Sequence, residues 1–155
     1  MIQRIQSVYL FLTTLMSISF LNGSIINFLN KTGVLTKLTF KGIEEGSSAQ
    51  AFTLIERLLP LSIVILLIGV ISLITIFFFK KRAVQLWLSG ILIGLTSFFL
   101  LACGHSSYLI MTKYSASIVP GIKMALPFLM LIFSILAYRG IRKDENLVKS
   151  YDRLR

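Results

Sequence analysis

The chain has 155 residues, of which 55% are hydrophobic and only 14% are charged, and its formal net charge is +10. Because an average soluble domain is about 45–50% apolar and about 25% charged, this composition excludes an ordinary soluble domain and indicates an integral membrane protein. The single cysteine and the single histidine exclude a disulfide within the chain, a zinc cluster of thiolates and a multi-histidine metal site, so we expect no cofactor.

The first apolar run predicts a helix over approximately residues 5–29. Asn22-Gly23 interrupts this run, so the helix ends either at Leu21 or at Leu29. A cleaved signal peptide is the alternative, because Arg4 precedes the run and a small-x-small triplet begins at Ser17. Cleavage is less favoured, since the apolar residues continue beyond the triplet and a single charge precedes them.

The clearest membrane span is Leu58–Phe79, which carries no charge. As an α-helix it rises about 33 Å, enough to cross a hydrocarbon core of about 30 Å. Thr53 and Glu56 have the spacing of a capping box, which predicts a helix over 54–79 with Pro60 in an early turn. Lys80, Lys81 and Arg82 end the span and predict a tight turn into the next apolar run.

Two further apolar runs predict helices over 83–107 and 118–138. The first contains Ala83–Cys103, with Trp87 near its start, where an indole lies at the level of the lipid headgroups. The second is Ile118–Tyr138, whose Lys123 is close enough to the start to snorkel to the interface. Pro127 lies within this run and predicts a bend in the helix.

These four runs predict an all-α fold, a polytopic membrane four-helix bundle that forms one domain over 1–155. The segment Asn30–Gln50 is the one sizeable region outside the spans, a short extracytoplasmic loop. Within it Thr36–Lys41 alternates polar and apolar residues between glycines, which predicts a small hairpin on the membrane surface.

The distribution of lysine and arginine predicts that both termini are cytoplasmic, because positive residues concentrate on the inner side of a membrane. With the N-terminus inside, ten basic residues lie inside and six outside. The inner set contains the dense clusters beside helix ends, which also explains the basic composition without nucleic-acid binding. The inner set is Arg4, Lys80, Lys81, Arg82, Arg139, Arg142, Lys143, Lys149, Arg153 and Arg155.

A polar cluster at the outer membrane face is a candidate site, formed by Glu56, Arg57, His105 and Lys123. His105 is followed by Ser106 and Ser107, but adjacent residues of a helix point about 100° apart and do not form a nucleophile and base pair. No acidic residue occurs inside a span, as a proton-coupled carrier would need. The helix geometry at His105 argues against a hydrolase, so we expect no enzymatic activity. An enzyme that acts on lipid at the outer face is the third hypothesis, and it rests only on His105, Glu56 and Lys123.

The tail 139–155 is the second candidate surface, a cytoplasmic amphipathic helix. Its apolar residues collect on one side with Ile141, and its charges lie largely elsewhere. Such a helix lies on an anionic leaflet or docks on a partner. The candidate contact residues are Arg139, Arg142, Lys143, Leu147, Val148, Tyr151 and Leu154, together with Lys80, Lys81 and Arg82 of the turn.

The opening residues 1–10, the turn 78–85 and the ending 137–155 resemble a family of uncharacterised small four-helix bacterial inner-membrane proteins, a domain of unknown function. The resemblance covers the whole chain and is most specific at its ends. It implies four helices with both termini inside, and it carries no activity, ligand or catalytic residue.

The expected function is that of a non-enzymatic membrane protein, an accessory or scaffold subunit of a larger membrane complex. Its expected partners are membrane lipids and one or more membrane proteins, and the sequence leaves its oligomeric state open. The alternative is a small oligomeric channel or a lipid or solute carrier, because Gly90 and Gly94 have the small-x-x-x-small spacing that allows close helix contact.

Overall fold

The computed structural model describes residues 3–30, 33–46 and 52–153. Within these residues the chain forms four α-helices and a five-stranded sheet, so the fold is mixed α and β and the all-α prediction is wrong. The helices are α1 (Gln3–Leu21), α2 (Leu59–Phe77), α3 (Arg82–Tyr114) and α4 (Leu126–Arg153). The strands are β1 (Ser24–Asn30), β2 (Leu35–Thr39), β3 (Gly42–Gly46), β4 (Thr53–Arg57) and β5 (Ala116–Val119).

Strands β1 and β5 occupy segments that the sequence assigned to helices, as does β4. Helix α1 ends at Leu21, where Gly23 takes a φ of +91° that redirects the chain into β1. Strand β5 occupies the predicted start of the fourth span, between a left-handed Ser115 and Pro120. Both strands are short apolar runs beside turn residues, and periodicity alone does not separate such a run from the end of a buried helix.

The sheet is antiparallel throughout, with the strand order β4-β3-β2-β1-β5. The alternating segment that predicted a hairpin forms β2 and the turn into β3, where Leu38 pairs with Ile43. Strand β4 occupies the residues that predicted a capping box. Leu58 precedes α2 without a side-chain cap, and Pro60 lies in the first turn of α2, so the predicted capping role of Thr53 and Glu56 is wrong.

Helix α3 extends further than the sequence predicted, whereas α4 begins later than the predicted fourth span and joins it to the predicted tail helix. Helix α3 has 33 residues and is about 50 Å long, which exceeds the thickness of a hydrocarbon core, about 30 Å. Helix α4 begins at Leu126, after a 3₁₀ turn over Ile122–Ala125, and continues without interruption through the tail. Pro127 therefore lies in its first turn, where a missing N–H costs least, rather than within the helix as the sequence predicted.

The helices pack as antiparallel neighbours: α1 contacts α2 and α4, and α3 contacts the same two helices. The sheet lies at one end of them, which we call the sheet end. The other end, the turn end, holds the start of α1, the 3₁₀ turn Phe78–Lys80 between α2 and α3, and the second half of α4. At the sheet end Phe20, Phe28 and Ile110 are fully buried in one cluster, which fixes the sheet on the ends of α1 and α3.

The helices bury hydroxyl groups and expose large apolar side chains, the reverse of a soluble protein. Among the described residues, the buried hydroxyl residues of the helices are Thr13, Thr14, Ser17, Ser72, Thr75, Ser89, Thr96, Ser107 and Ser134. The exposed apolar residues include Phe11, Leu15, Ile63, Leu66, Val70, Phe98, Leu101 and Ile132. Three helical segments are long and apolar enough to cross a membrane, Leu59–Phe77, Arg82–Tyr114 and Ile122–Val148, and α1 has a shorter apolar stretch, Ile5–Leu21.

Candidate functional site

The turn end contains a half-open cavity of about 290 Å³, at the point where α1, α4 and the turn between α2 and α3 meet. Its walls combine two amides, two charged side chains and two apolar side chains, which come from positions far apart in the sequence. The lining residues are Gln6, Ser7, Phe79, Arg82, Gln85, Ile141 and Asp144.

A hydrogen bond across the cavity joins the first helix to the last. Gln6 Nε2 donates to Asp144 Oδ2 at 2.8 Å, and the Gln6 side chain is 4% exposed. Gly140 makes this approach possible, because a β-carbon at that position would lie 2.7 Å from Gln6 Cγ. The pair therefore holds α4 beside the start of α1.

Arg82 and Gln85 connect the start of α3 to its neighbours. Arg82 Nη1 donates to the backbone carbonyl of Asp144 at 3.2 Å, and Gln85 Nε2 donates to the carbonyl of Thr75 at 3.2 Å. Gln85 is buried, although it lies in an apolar stretch whose other sides expose Val84 and Trp87. A polar side chain in such a stretch points between the packed helices, where it can bond to a neighbouring helix.

A shallow groove follows α4 outside the cavity. It is lined by Tyr138, Arg139, Arg142, Lys143, Asn146 and Leu147. Three of the basic residues singled out in the sequence thus share one surface with an apolar residue, Leu147, which is 44% exposed. Val148 is also exposed, at 39%.

The apolar residues that the sequence placed on one side of the tail helix have different surroundings in the structure. Ile141 is buried against the other helices and lines the cavity, whereas Leu147 lies in the groove. The side chain of Tyr151 and all of Leu154 lie outside the described residues. In the turn, Arg82 reaches the cavity and Lys81 is exposed, while the side chain of Lys80 is outside the described part.

The residues of the predicted outer polar cluster have separate surroundings at the sheet end. Lys123 Nζ donates to the carbonyls of Asn22 at 2.6 Å and Ser19 at 3.3 Å. Lysine at the end of a helix is favourable because carbonyls without partners accumulate there. Lys123 thus caps the end of α1. The bonds and ion pairs found among the described residues do not connect it to His105.

Glu56 pairs instead with Lys113, which the sequence did not single out, at 3.8 Å. Both side chains are more than half exposed, so the pair contributes about 0–1 kcal/mol. Arg57 and His105 are exposed. A second cavity, of about 370 Å³, lies beside the ion pair and is lined mainly by the outer part of α3 with Ile43, Glu56 and Leu58.

The two glycines of the small-x-x-x-small motif differ in their surroundings. A β-carbon at Gly90 would lie 4.0 Å from Tyr138 Cε2 of α4, an ordinary contact within the molecule. Gly94 has open space around it, and both glycines are exposed. Over the described residues there is no group of three or more histidine, cysteine, aspartate or glutamate residues that could hold a metal ion.

Sequence reasoning named the segments of the turn end but missed the residues that join them. Gln6 and Asp144 are 138 positions apart in the sequence. In the sequence Asp144 is only one of several charged residues of both signs in the tail. The available signal was the pair of glutamines near the starts of two apolar helices, since a lipid-facing surface does not favour an amide.

A family model described as a domain of unknown function (DUF4293) matches residues 2–154. The match covers nearly the whole chain and confirms the resemblance to an uncharacterised family. No curated protein matches the chain, and no solved structure does.

Proposed function

The chain belongs to the family described as a domain of unknown function (DUF4293), and we propose that it is a non-enzymatic accessory or scaffold subunit of a larger complex in the bacterial inner membrane. In this proposal all four helices cross the membrane as a four-helix bundle, with both termini in the cytoplasm. The groove along α4 is the surface that contacts the partner.

The lengths of the apolar stretches support four crossings. Leu59–Phe77 rises about 28 Å as a helix and Ile5–Leu21 about 25 Å, which is close to the thickness of a hydrocarbon core. Helix α1 also packs along α2 and α4 rather than against the sheet alone. Its exposed residues include Val8, Phe11 and Leu15, which suits contact with lipid.

The charges support an orientation with the turn end inside, by the positive-inside rule. Cysteine labelling tests this orientation, and buried Cys103 gives a low background. In cells whose outer membrane is made permeable, a membrane-impermeant maleimide should label Lys41→Cys, at an exposed turn of the sheet. It should label Lys143→Cys, in the groove, only after the inner membrane is also opened. The reverse pattern would reject the orientation.

The docking proposal rests on the composition of the groove. The groove lies on α4, which is held in place by its packing against α1 and α3. Arg139, Arg142 and Lys143 line one groove with Leu147, and Asp144 on the same helix is bonded to Gln6. Charged side chains steer an oppositely charged partner, and an exposed apolar side chain supplies the area that is buried on contact. The expected partner surface is an acidic and apolar cytoplasmic segment of a membrane protein.

Crosslinking and co-purification of the tagged full chain test the docking surface. Leu147→Asp combined with Tyr151→Ala should abolish recovery of the partner, because the first change places a charge in the groove. Ile55→Asp is the matched control, since Ile55 is also 44% exposed but lies on β4 at the opposite end. Recovery of the partner with the double variant, or recovery of the wild-type chain alone, would defeat the proposal.

Binding of the basic residues to the anionic leaflet is the competing explanation for the groove. Replacing Arg139, Arg142 and Lys143 by glutamine should then weaken attraction to anionic vesicles by about 1 kcal/mol for each residue. Under the docking proposal Leu147→Ala combined with Tyr151→Ala, which changes no charge, loses the partner while this vesicle attraction is retained. The two measurements therefore separate contact with lipid from contact with protein.

A further inference from the structure

Two opposite charges line the cavity at the turn end, the carboxylate of Asp144 on α4 and the guanidinium group of Arg82 on α3. Arg82 donates to the backbone carbonyl of Asp144, and the side chain of Asp144 receives Gln6 on Oδ2. These bonds leave Oδ1 of Asp144 with acceptor capacity and the guanidinium with further donors. A negative and a positive group thus face one half-open space.

The charges around the cavity limit the ligands it can take. A phosphate alone would approach Arg82 but would also approach the carboxylate of Asp144, and like charges repel. An amine alone would meet Asp144 but also the positive field of Arg82 and exposed Lys81. A ligand that carries both charges satisfies both groups, and the buried amides of Gln6 and Gln85 can bond to either part.

We infer that this cavity binds a phosphate–amine zwitterion, the headgroup chemistry of phosphatidylethanolamine, with the ammonium group on Asp144 and the phosphate on Arg82. The position of the cavity favours the lipid over a soluble phosphoethanolamine. It is lined by Phe79, two residues after the apolar surface of α2 stops at Phe77, and the side chain of Phe79 is 53% exposed. Glycerol and acyl chains can continue from the cavity along this apolar surface.

The inference does not depend on the docking groove, because the groove residues Arg139, Arg142 and Lys143 do not line the cavity. A chain without a protein partner could still bind the headgroup, and a chain that docks on a partner could bind none.

The test uses the purified full chain in detergent, stripped of bound lipid and titrated with short-chain lipids while its thermal unfolding is followed. Short-chain phosphatidylethanolamine should raise the unfolding midpoint in a saturable manner, as a ligand of the folded state does. Phosphatidylcholine carries the same charges but its ammonium cannot donate a hydrogen bond, so it should bind at least five-fold more weakly. The mono- and dimethylated headgroups should fall between these two.

Asp144→Asn should remove the preference for phosphatidylethanolamine over phosphatidylcholine. Glu45→Gln is the matched control, because it removes one carboxylate from β3 at the sheet end, and it should retain the preference. The methylation series on the wild-type chain keeps the inference testable if Asp144→Asn does not fold. Equal binding of phosphatidylethanolamine and phosphatidylcholine to the wild type would overturn the inference, as would an unchanged preference in Asp144→Asn. Binding of free phosphoethanolamine as tight as that of the lipid would overturn the lipid assignment.

Discussion

Gly140 of α4 lies against the side chain of Gln6 of α1, so closely that a β-carbon on Gly140 would be 2.7 Å from Gln6 Cγ and 3.2 Å from Nε2. The absence of a side chain on Gly140 is thus what lets Gln6 lie between the two helices and reach Asp144. Contact between α1 and α4 at the turn end depends on this pair.

Gly140→Ala should lower the stability of the folded chain despite the better helix propensity of alanine. Alanine gains about 1 kcal/mol as a helix former, but displacing buried Gln6 costs about 1–3 kcal/mol and breaks its bond to Asp144. The free energy of unfolding in mild detergent measures the sum. Gly94→Ala is the control, because Gly94 has open space around it and should be neutral or stabilising. A stabilised Gly140→Ala would contradict the assigned contact.

Thr14 and Ser72 should stabilise the contact between α1 and α2 as a pair. Their hydroxyl oxygens are 2.7 Å apart and buried. Interhelical hydrogen bonds of this kind in membranes contribute about 0.6 kcal/mol on average, and up to about 1.7. A double-mutant cycle with Thr14→Val and Ser72→Ala should give a coupling free energy in this range. Thr112, whose bonds stay within its own helix at an exposed position, should show no coupling to Ser72.

Removing the ammonium of Lys123 should loosen the end of α1. Lys123→Met keeps the apolar stem but loses the bonds to Asn22 and Ser19, at an expected cost of about 1–2 kcal/mol. Hydrogen exchange over residues 18–23 should become faster. Lys113→Met removes an exposed ion pair and should change stability by less than about 1 kcal/mol. Equal effects of the two variants would reject a capping role for Lys123.

Gly42→Ala should detach β4 from the sheet. Gly42 has a φ of +142°, and a β-carbon there would lie 2.0 Å from the backbone oxygen of Glu56 on β4. Strain and steric overlap together should cost more than about 2 kcal/mol, so the amides of Thr53–Arg57 should exchange faster with solvent. Gly121→Ala meets no neighbour within 4 Å and should leave exchange in β4 unchanged. Unaltered protection of β4 in Gly42→Ala would contradict the close pairing.

The sequence predicts best the elements whose ends are marked by charge. The long apolar run of α2 stops at three basic residues, and the structure has the turn and the start of α3 there. The membrane character of the chain also follows from composition, because lipid requires long apolar stretches whatever their packing.

The sheet and the cavity were not predictable in the same way. Strand β1 continues an apolar run, and β4 combines the residue types of a helix cap with the spacing of one, so local patterns favoured helix at both places. Pairing with distant segments stabilises these two as strands, β1 with β2 and β5, and β4 with β3. The bond between Gln6 and Asp144 arises from the packing of the first helix against the last, which no local pattern records.

The position of β5 in the chain has a consequence for biosynthesis. Strands β1 to β4 all emerge before α2, whereas β5 emerges only after α3 and pairs with β1 from the opposite edge. While the ribosome completes α2 and α3, β1 therefore keeps an open edge that another extended segment could occupy. The arrival of β5 closes this edge, so the last strand to be made protects the first.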